Sequence, residues 1–164
     1  MTEIIEVWQY YLRTLDWRQA LRAIKPLQTA NGLVYELAAP GERTNESIAL
    51  VDMTNLKASE PHYHPELEIY FVLQGLGITI IAGKEHRLEP NGALVIPSNK
   101  AHYTIPDGKL VLAVVNTPPF NPANYTAVYQ DNESVQFNKN QYDVLLARNR
   151  FNVGNASRKN SSAF

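Results

Sequence analysis

Apolar side chains at Ile4, Ile5, Trp8, Tyr11, Leu12 and Leu15 recur at helical spacing, with Glu3 and Glu6 near the start and Arg13 near the end, where the helix dipole favours them. The pattern predicts an amphipathic helix. Asp16 followed by Gln19 has the form of a capping box and predicts a second short helix that carries Trp17, Ala20, Leu21 and Ile24 and stops at Pro26. From Asn31 the texture changes to short apolar runs separated by turn residues: "GLVYELAAPGE", "SIALVDM", "LEIYFVLQGLG", "ITIIAGKEH", "GALVIPSN", "HYTIPDG" and "KLVLAVVNTPP". Strands at such even spacing, broken by Gly, Pro, Asn and Asp, predict an all-β sandwich or barrel. "IAGKE" and "IPDGK" have the form of tight hairpin turns, because glycine supplies the positive φ those turns need. A last helix is predicted around "NQYDVLLARNRF", followed by a tail, "GNASRKNSSAF", too poor in apolar residues to bury anything and expected to be mobile. The pattern thus divides the chain into a helical arm (1–30), a β-barrel (31–130) and a C-terminal extension (131–164).

Alternation within the run at 67–73 identifies its two faces. Leu67, Ile69, Phe71 and Leu73 form one apolar face, and Glu68, Tyr70 and Val72 the other, so both sides are expected to be buried. The outer face then needs a cover, which either the helical arm (Trp8, Tyr11, Leu12, Trp17, Leu21) or a second subunit can supply; a homodimer is expected.

Charge and composition narrow the partners. Fifteen Lys and Arg against sixteen Asp and Glu leave a formal net charge of -1, which gives no global attraction to nucleic acid or to an anionic membrane. A small-molecule partner is the simpler expectation. The chain has no cysteine, so disulfides and thiolate chemistry are excluded. The acidic residues in the first turns do not resemble a secretory leader, and no apolar run reaches the roughly 18 residues of a membrane span, so a cytoplasmic protein is expected. Gly75 and Gly77 lack the third glycine and following helix of a phosphate-binding loop.

Two of only four histidines lie one residue apart in "PHYHPELEIYFVLQGLG". His62, His64, Glu68, Tyr70 and Val72 share strand parity, although Pro65 interrupts the strand, so two imidazoles, a carboxylate and a phenol are directed to one side of a sheet. Leaving such groups buried without partners costs roughly 1–3 kcal/mol each. A metal ion removes that cost. Imidazole and carboxylate without sulfur suit Fe, Mn, Ni, Cu or Zn as divalent ions, one per chain, and His102 in "VIPSNKAHYTIP" is a candidate fourth ligand from another strand. His86, in the polar "GKEHRLE" segment, is read as solvated.

The two segments together resemble the cupin superfamily. His62, His64, Glu68 and Gly75 follow its first motif, and Pro97, Asn99 (where glycine is usual) and His102 follow most of its second. Gly92 stands one residue closer to Pro97 than in the family pattern, and Pro106 occupies a place where asparagine often closes the motif; both departures concern turns or strand ends rather than ligands. The resemblance covers residues 31–120 and implies a double-stranded β-helix, the jelly-roll or cupin barrel, here with an N-terminal helical arm, and His62, His64, Glu68 and His102 as metal ligands. It further implies an enzyme acting on a small sugar-like or carboxylate substrate by Lewis-acid chemistry, as an isomerase, epimerase or lyase. The alternatives are a non-haem metal dioxygenase and a non-catalytic metal-assisted binding protein. Tyr70 and Glu66 are the candidate proton shuttles. In cupin lyases that split dimethylsulfoniopropionate a tyrosine at the offset of Tyr70 serves as base; a pocket wall is the other reading of that residue. Tyr35, Met53, Thr104, Val114 and Asn116 are candidates for the remaining inward positions.

Overall fold

The computed structural model describes residues 2–38 and 45–159. Helices α1 (Thr2–Thr14) and α2 (Trp17–Ala23) form the arm, and the Asp16 carboxylate caps α2 by accepting from the Gln19 amide at 3.0 Å. Nine strands follow: β1 (Leu27–Thr29), β2 (Gly32–Ala38), β3 (Ser47–Asp52), β4 (His62–Tyr63), β5 (Leu67–Ile81), β6 (Lys84–Leu88), β7 (Ala93–Ile96), β8 (His102–Thr117) and β9 (Thr126–Ala127). Helix α3 (Lys139–Lys159) ends the described chain. β1 falls inside the segment assigned to the arm, yet pairs with β2. Residues 39–44 and those beyond 159 lie outside the described residues, and α3 reaches well into the segment expected to be tail.

β5 and β8 are the spine of the curled antiparallel sheet, pairing from Leu67↔Thr117 to Ile81↔His102. β6 and β7 extend it beside β5, while the order β1-β2-β3-β8-β4-β9 completes the other side. Two pairs of apolar runs that read as separate strands are therefore continuous. Ala82 (φ 49°) and Gly83 (φ 78°) do turn the chain from β5 into β6. "IPDGK" does not form a hairpin: Asp107, Gly108 and Lys109 make an exposed excursion within β8, which pairs with β5 on both sides of it. Opposite that excursion, Gly75 adopts φ +86°, and a Cβ there would lie 1.7 Å from the Lys109 carbonyl oxygen. The crossing of the two long strands admits only glycine at this point.

Register shifts at Val72/Gln74 and Gly75/Gly77 exchange the faces of β5. Tyr70 and Val72 point inward before the shifts and Ile81 after them, joining Val51, Met53, Ile96, Leu112 and Val114 in the barrel interior. The outer face of Ile69, Phe71, Val111, Ala113 and Val115 is covered by Leu12 and Trp17, with Ile5, Trp8 and Leu21 alongside. The cover demanded by the sequence is thus supplied by the arm of the same chain. Tyr35 belongs to this outer cluster, not to the interior where it was expected, because its partner in β3 is the outward Leu50. A third cluster (Ile80, Tyr103, Ile105, Phe137) receives Tyr142 and Leu145 of α3, which docks the C-terminal extension. Among the described residues no helix is long and apolar enough to cross a membrane.

Candidate metal centre

The ligand residues come together at one end of the barrel. β4 ends one side of Pro65 and β5 begins on the other, so His62 and His64 precede the bend and Glu68 follows it. His102 opens β8 and stands in register with both His62 and Ile81. His62, His64, Glu68 and His102 are all buried, and one ligand atom from each lies within 4.8 Å of the others. His86 sits half-buried on β6 outside this group.

Two of the three imidazoles have one nitrogen already committed. His62 Nδ1 lies 2.8 Å from the Glu60 carbonyl and His102 Nδ1 lies 2.9 Å from the Lys100 carbonyl. Carbonyls only accept, so both Nδ1 atoms carry the proton and the Nε2 lone pairs remain. His64 Nδ1 faces Glu66 Oε2 at 3.2 Å, leaving its Nε2 directed at Glu68 Oε2, 3.6 Å away. His102 Nε2 approaches that same Glu68 oxygen at 3.0 Å. His64 Nε2, His102 Nε2 and Glu68 Oε2 have no hydrogen-bond partner among the described residues. Lone pairs thus face lone pairs in a dry interior, an arrangement a cation between them relieves. Second atoms held by carbonyls and a carboxylate are the usual support of metal-ligating histidines. The donor set fits a first-row divalent ion with open coordination positions.

The electrostatics agree. Burial, then the neighbouring His102, pushes His62 down to about 3, so it is neutral and ready to ligate at ordinary pH. Burial alone would lower His64 as well, but the neighbouring carboxylates of Glu68 and Glu66 outweigh burial and raise it. Burial would raise Glu68, yet the facing imidazoles of His102 and His64 hold it well below the usual carboxylate range.

Tyr70 is buried two residues beyond Glu68 on the same inward face, and burial together with the Glu68 charge pushes its phenol well above its ordinary value. Without a cation nearby it is a proton donor, not the phenolate a base requires. Glu66, the other candidate proton shuttle, lies behind His64, with Oε2 3.2 Å from its Nδ1. Besides facing His64, it accepts from Asn124 Nδ2 at 2.7 Å and from the Asn121 amide at 3.3 Å. Asn99, with φ +58°, explains how asparagine replaces the usual glycine: it tolerates the left-handed conformation required there.

The segment after β8 also reaches the site, with no periodic pattern in the sequence to announce it. Phe120 meets the His64 ring edge-on at 5.6 Å, and Tyr125 stacks on His62 at 4.5 Å. The Tyr125 hydroxyl donates to Glu60 Oε2 at 2.7 Å, and Tyr129 donates to the other oxygen of Glu60. The segment "PPFNPANY" reads as a loop because its prolines and asparagines mask the two aromatic residues, which were the available signal.

Residues 50–117 match the family Cupin_2, a cupin domain. The chain is 32% identical over 114 residues to an acireductone dioxygenase of Bacillus velezensis, covering 60% of this chain and 61% of that protein. It is 30% identical over 70 residues to a gentisate 1,2-dioxygenase of Haloferax sp, covering 42% of this chain and 20% of the other. The chain therefore spans between 20% and 61% of the length of these curated relatives. A protein of Planctomyces limnophilus shares the fold with a TM-score of 0.56 at 24% identity, over 64% of this chain and 90% of its own. The polyketide cyclase RemF of Streptomyces resistomycificus does so with a TM-score of 0.56 at 15% identity, over 70% and 87%. Sheet topology, matched segment and convergent ligands agree: residues 50–117 match a cupin domain, and the chain has a cupin-like fold.

Proposed function

We propose that the protein is a metal-dependent enzyme acting on a small oxygen-bearing molecule, with His62, His64, Glu68 and His102 holding one divalent first-row ion. The observation that carries this reading is the buried set of ligand atoms gathered around Glu68, with the His62 and His102 rings fixed from behind by carbonyls and His64 facing Glu66. Three neutral imidazoles and one carboxylate leave a divalent ion with net positive charge and open positions, which supplies Lewis acidity and, for a redox-active metal, dioxygen chemistry. The chain's own residues do the rest. Glu66 orients His64, Phe120 and Tyr125 pack against the ligand rings and exclude water from that side, and Tyr70 presents its phenol to the interior. The aliphatic interior of Val51, Val72, Leu112 and Val114 favours a substrate with an apolar body.

Two reactions suit this apparatus. Similarity over the cupin segment to two kinds of dioxygenase favours oxidation of the substrate by dioxygen. The Tyr70 phenol, buried on the inward face two residues beyond Glu68, favours the second reading, Lewis-acid isomerisation or elimination with proton transfer at the phenolic oxygen. Oxygen uptake by the iron-, manganese- or nickel-loaded protein with a panel of small enediols and hydroxy acids tests the choice. Uptake with the redox metals and none with zinc supports the dioxygenase; turnover with zinc and no oxygen consumption supports the isomerase or lyase. No turnover with any metal leaves a binding protein.

A further inference from the structure

Most polar groups sealed in the barrel answer one another. Thr79 and Thr104 share a hydrogen bond of 2.8 Å, the Thr104 amide donates to Ser59 Oγ at 2.8 Å, and the bare atoms of His64, His102 and Glu68 are those a cation satisfies. Of the other bare atoms, Glu66 Oε2 faces His64 and the Tyr103 hydroxyl lies in the cluster that receives α3, whereas Asn116 stands across the ladder from a ligand residue. Asn116 is 5% exposed, and its Nδ2 has no hydrogen-bond partner among the described residues.

Register fixes where this amide lies. Asn116 is directly opposite Glu68 in the β5–β8 ladder. Residues paired in this way present their side chains to the same face of a sheet, with Cβ atoms about 4.5–5.5 Å apart. Val114 and Leu112, two and four residues earlier on β8, belong to the interior cluster. Asn116 therefore projects into the barrel beside a metal ligand. An amide nitrogen can only donate, so the missing partner is an oxygen. The coordinating atoms converge on the cation from Glu68, while Asn116 flanks them, so that oxygen belongs next to the metal position and not on it.

Resting on the metal-centre reading above, we propose that Asn116 is a specificity-determining residue: its Nδ2 donates to one oxygen of a substrate carboxylate whose other oxygen faces the cation. The site then takes small carboxylates with an apolar body. A neutral substrate, or an anion that reaches the metal through a single atom, leaves the amide without its acceptor.

The test uses the full-length protein loaded with Co(II), whose visible absorption reports on its ligands, and titrates propionate and, separately, azide into wild type, Asn116→Leu and Asn116→Ser. Propionate is expected to bind wild type and to lose about tenfold in affinity in both variants, the scale of one charge-assisted hydrogen bond. Azide and cobalt affinities are expected to stay unchanged. The melting temperature of metal-free Asn116→Leu is expected to hold or rise, because the variant removes an unpartnered donor at nearly constant shape. Propionate affinity that is unchanged in the variants, or no propionate binding to cobalt-loaded wild type, overturns the proposal. Equal loss of cobalt affinity would make Asn116 a support for Glu68, and a lowered melting temperature would make it a structural residue; either result also overturns it. Wild type that takes up no cobalt contradicts the metal centre itself and this inference with it, before any anion is added.

Discussion

Glu68 Oε2 lies 3.0 Å from His102 Nε2, while the other nitrogen of the same ring is already committed to the Lys100 carbonyl at 2.9 Å. A neutral imidazole so arranged offers Glu68 a lone pair, and His64 does the same from 3.6 Å. Only a positive charge reconciles the three atoms. A metal ion satisfies all of them together, whereas a proton satisfies one contact at a time. Loss of one imidazole should therefore abolish metal retention. His64→Ala is expected to lose bound metal on gel filtration and to keep the strand signal of its circular dichroism spectrum; collapse of that spectrum would make His64 a structural core residue.

Glu66 faces His64 on the side away from the other ligands and is itself held by Asn121 and Asn124. Partners of this kind typically govern metal affinity by 10–100-fold, roughly the range expected for Glu66→Gln. Metal affinity from competition with a chelator checks it. An unchanged affinity accompanied by lost turnover would restore Glu66 to the role of proton shuttle.

The metal-free protein should lose stability in acid. His62 is buried neutral with a pKa near 3, so as pH falls below 6.5 the unfolded chain takes up a proton that the folded one refuses, and stability declines toward pH 3. Glu68, held below its usual value, adds to the loss below pH 4.5. His64 has the opposite sign: its raised pKa contributes stability fully below 6.5, and that contribution fades only as pH rises through the folded value. Acid loss below pH 6 is therefore not offset by His64. Denaturant midpoints measured from pH 6 to pH 3.5 should fall steadily, and a flat profile down to pH 5 would show that His62 is exposed or charged.

The arm is expected to be part of the folding unit. Leu12 is 7% exposed and packs with Trp17 on the outward side chains of β5 and β8. Leu12→Ala should cost about 2–5 kcal/mol, as other truncations of buried leucine do, while the protein still binds metal. Chemical denaturation of the metal-free variant measures this. A cost near zero would mean that the arm rests loosely and that a second subunit is the true cover of that face.

The ligands were legible in the sequence because residue type, spacing and strand parity coincide in two segments; Met53 and Val114, named only as candidates for inward positions, join the interior cluster once pairing fixes the register. Alternation stops being a guide at Gly75, where the register shifts exchange the faces of β5 and the close Lys109 backbone demands glycine. The same irregularity made two long strands read as four short ones and gave "IPDGK" the look of a hairpin. Tyr35 was misplaced because an aromatic residue in an amphipathic strand suits either covered face, and only pairing with Leu50 settles which. Glu66 was recognisable as acidic and near the ligands, but its direction depends on the bend at Pro65 and on asparagines more than fifty positions away. Phe120 and Tyr125 reach the site through long-range contacts that leave no periodic trace.

Metal content is the most direct test of the central claim. Chelator-stripped protein is offered Fe(II), Mn(II), Ni(II), Cu(II) or Zn(II), then analysed for bound ion and melted with and without it. One ion per chain is expected for at least one of these metals, and at about 100 times the dissociation constant that ion should add about 2.7 kcal/mol of stability. Protein that retains no stoichiometric ion from this series, and whose melting temperature none of them raises, would contradict the account.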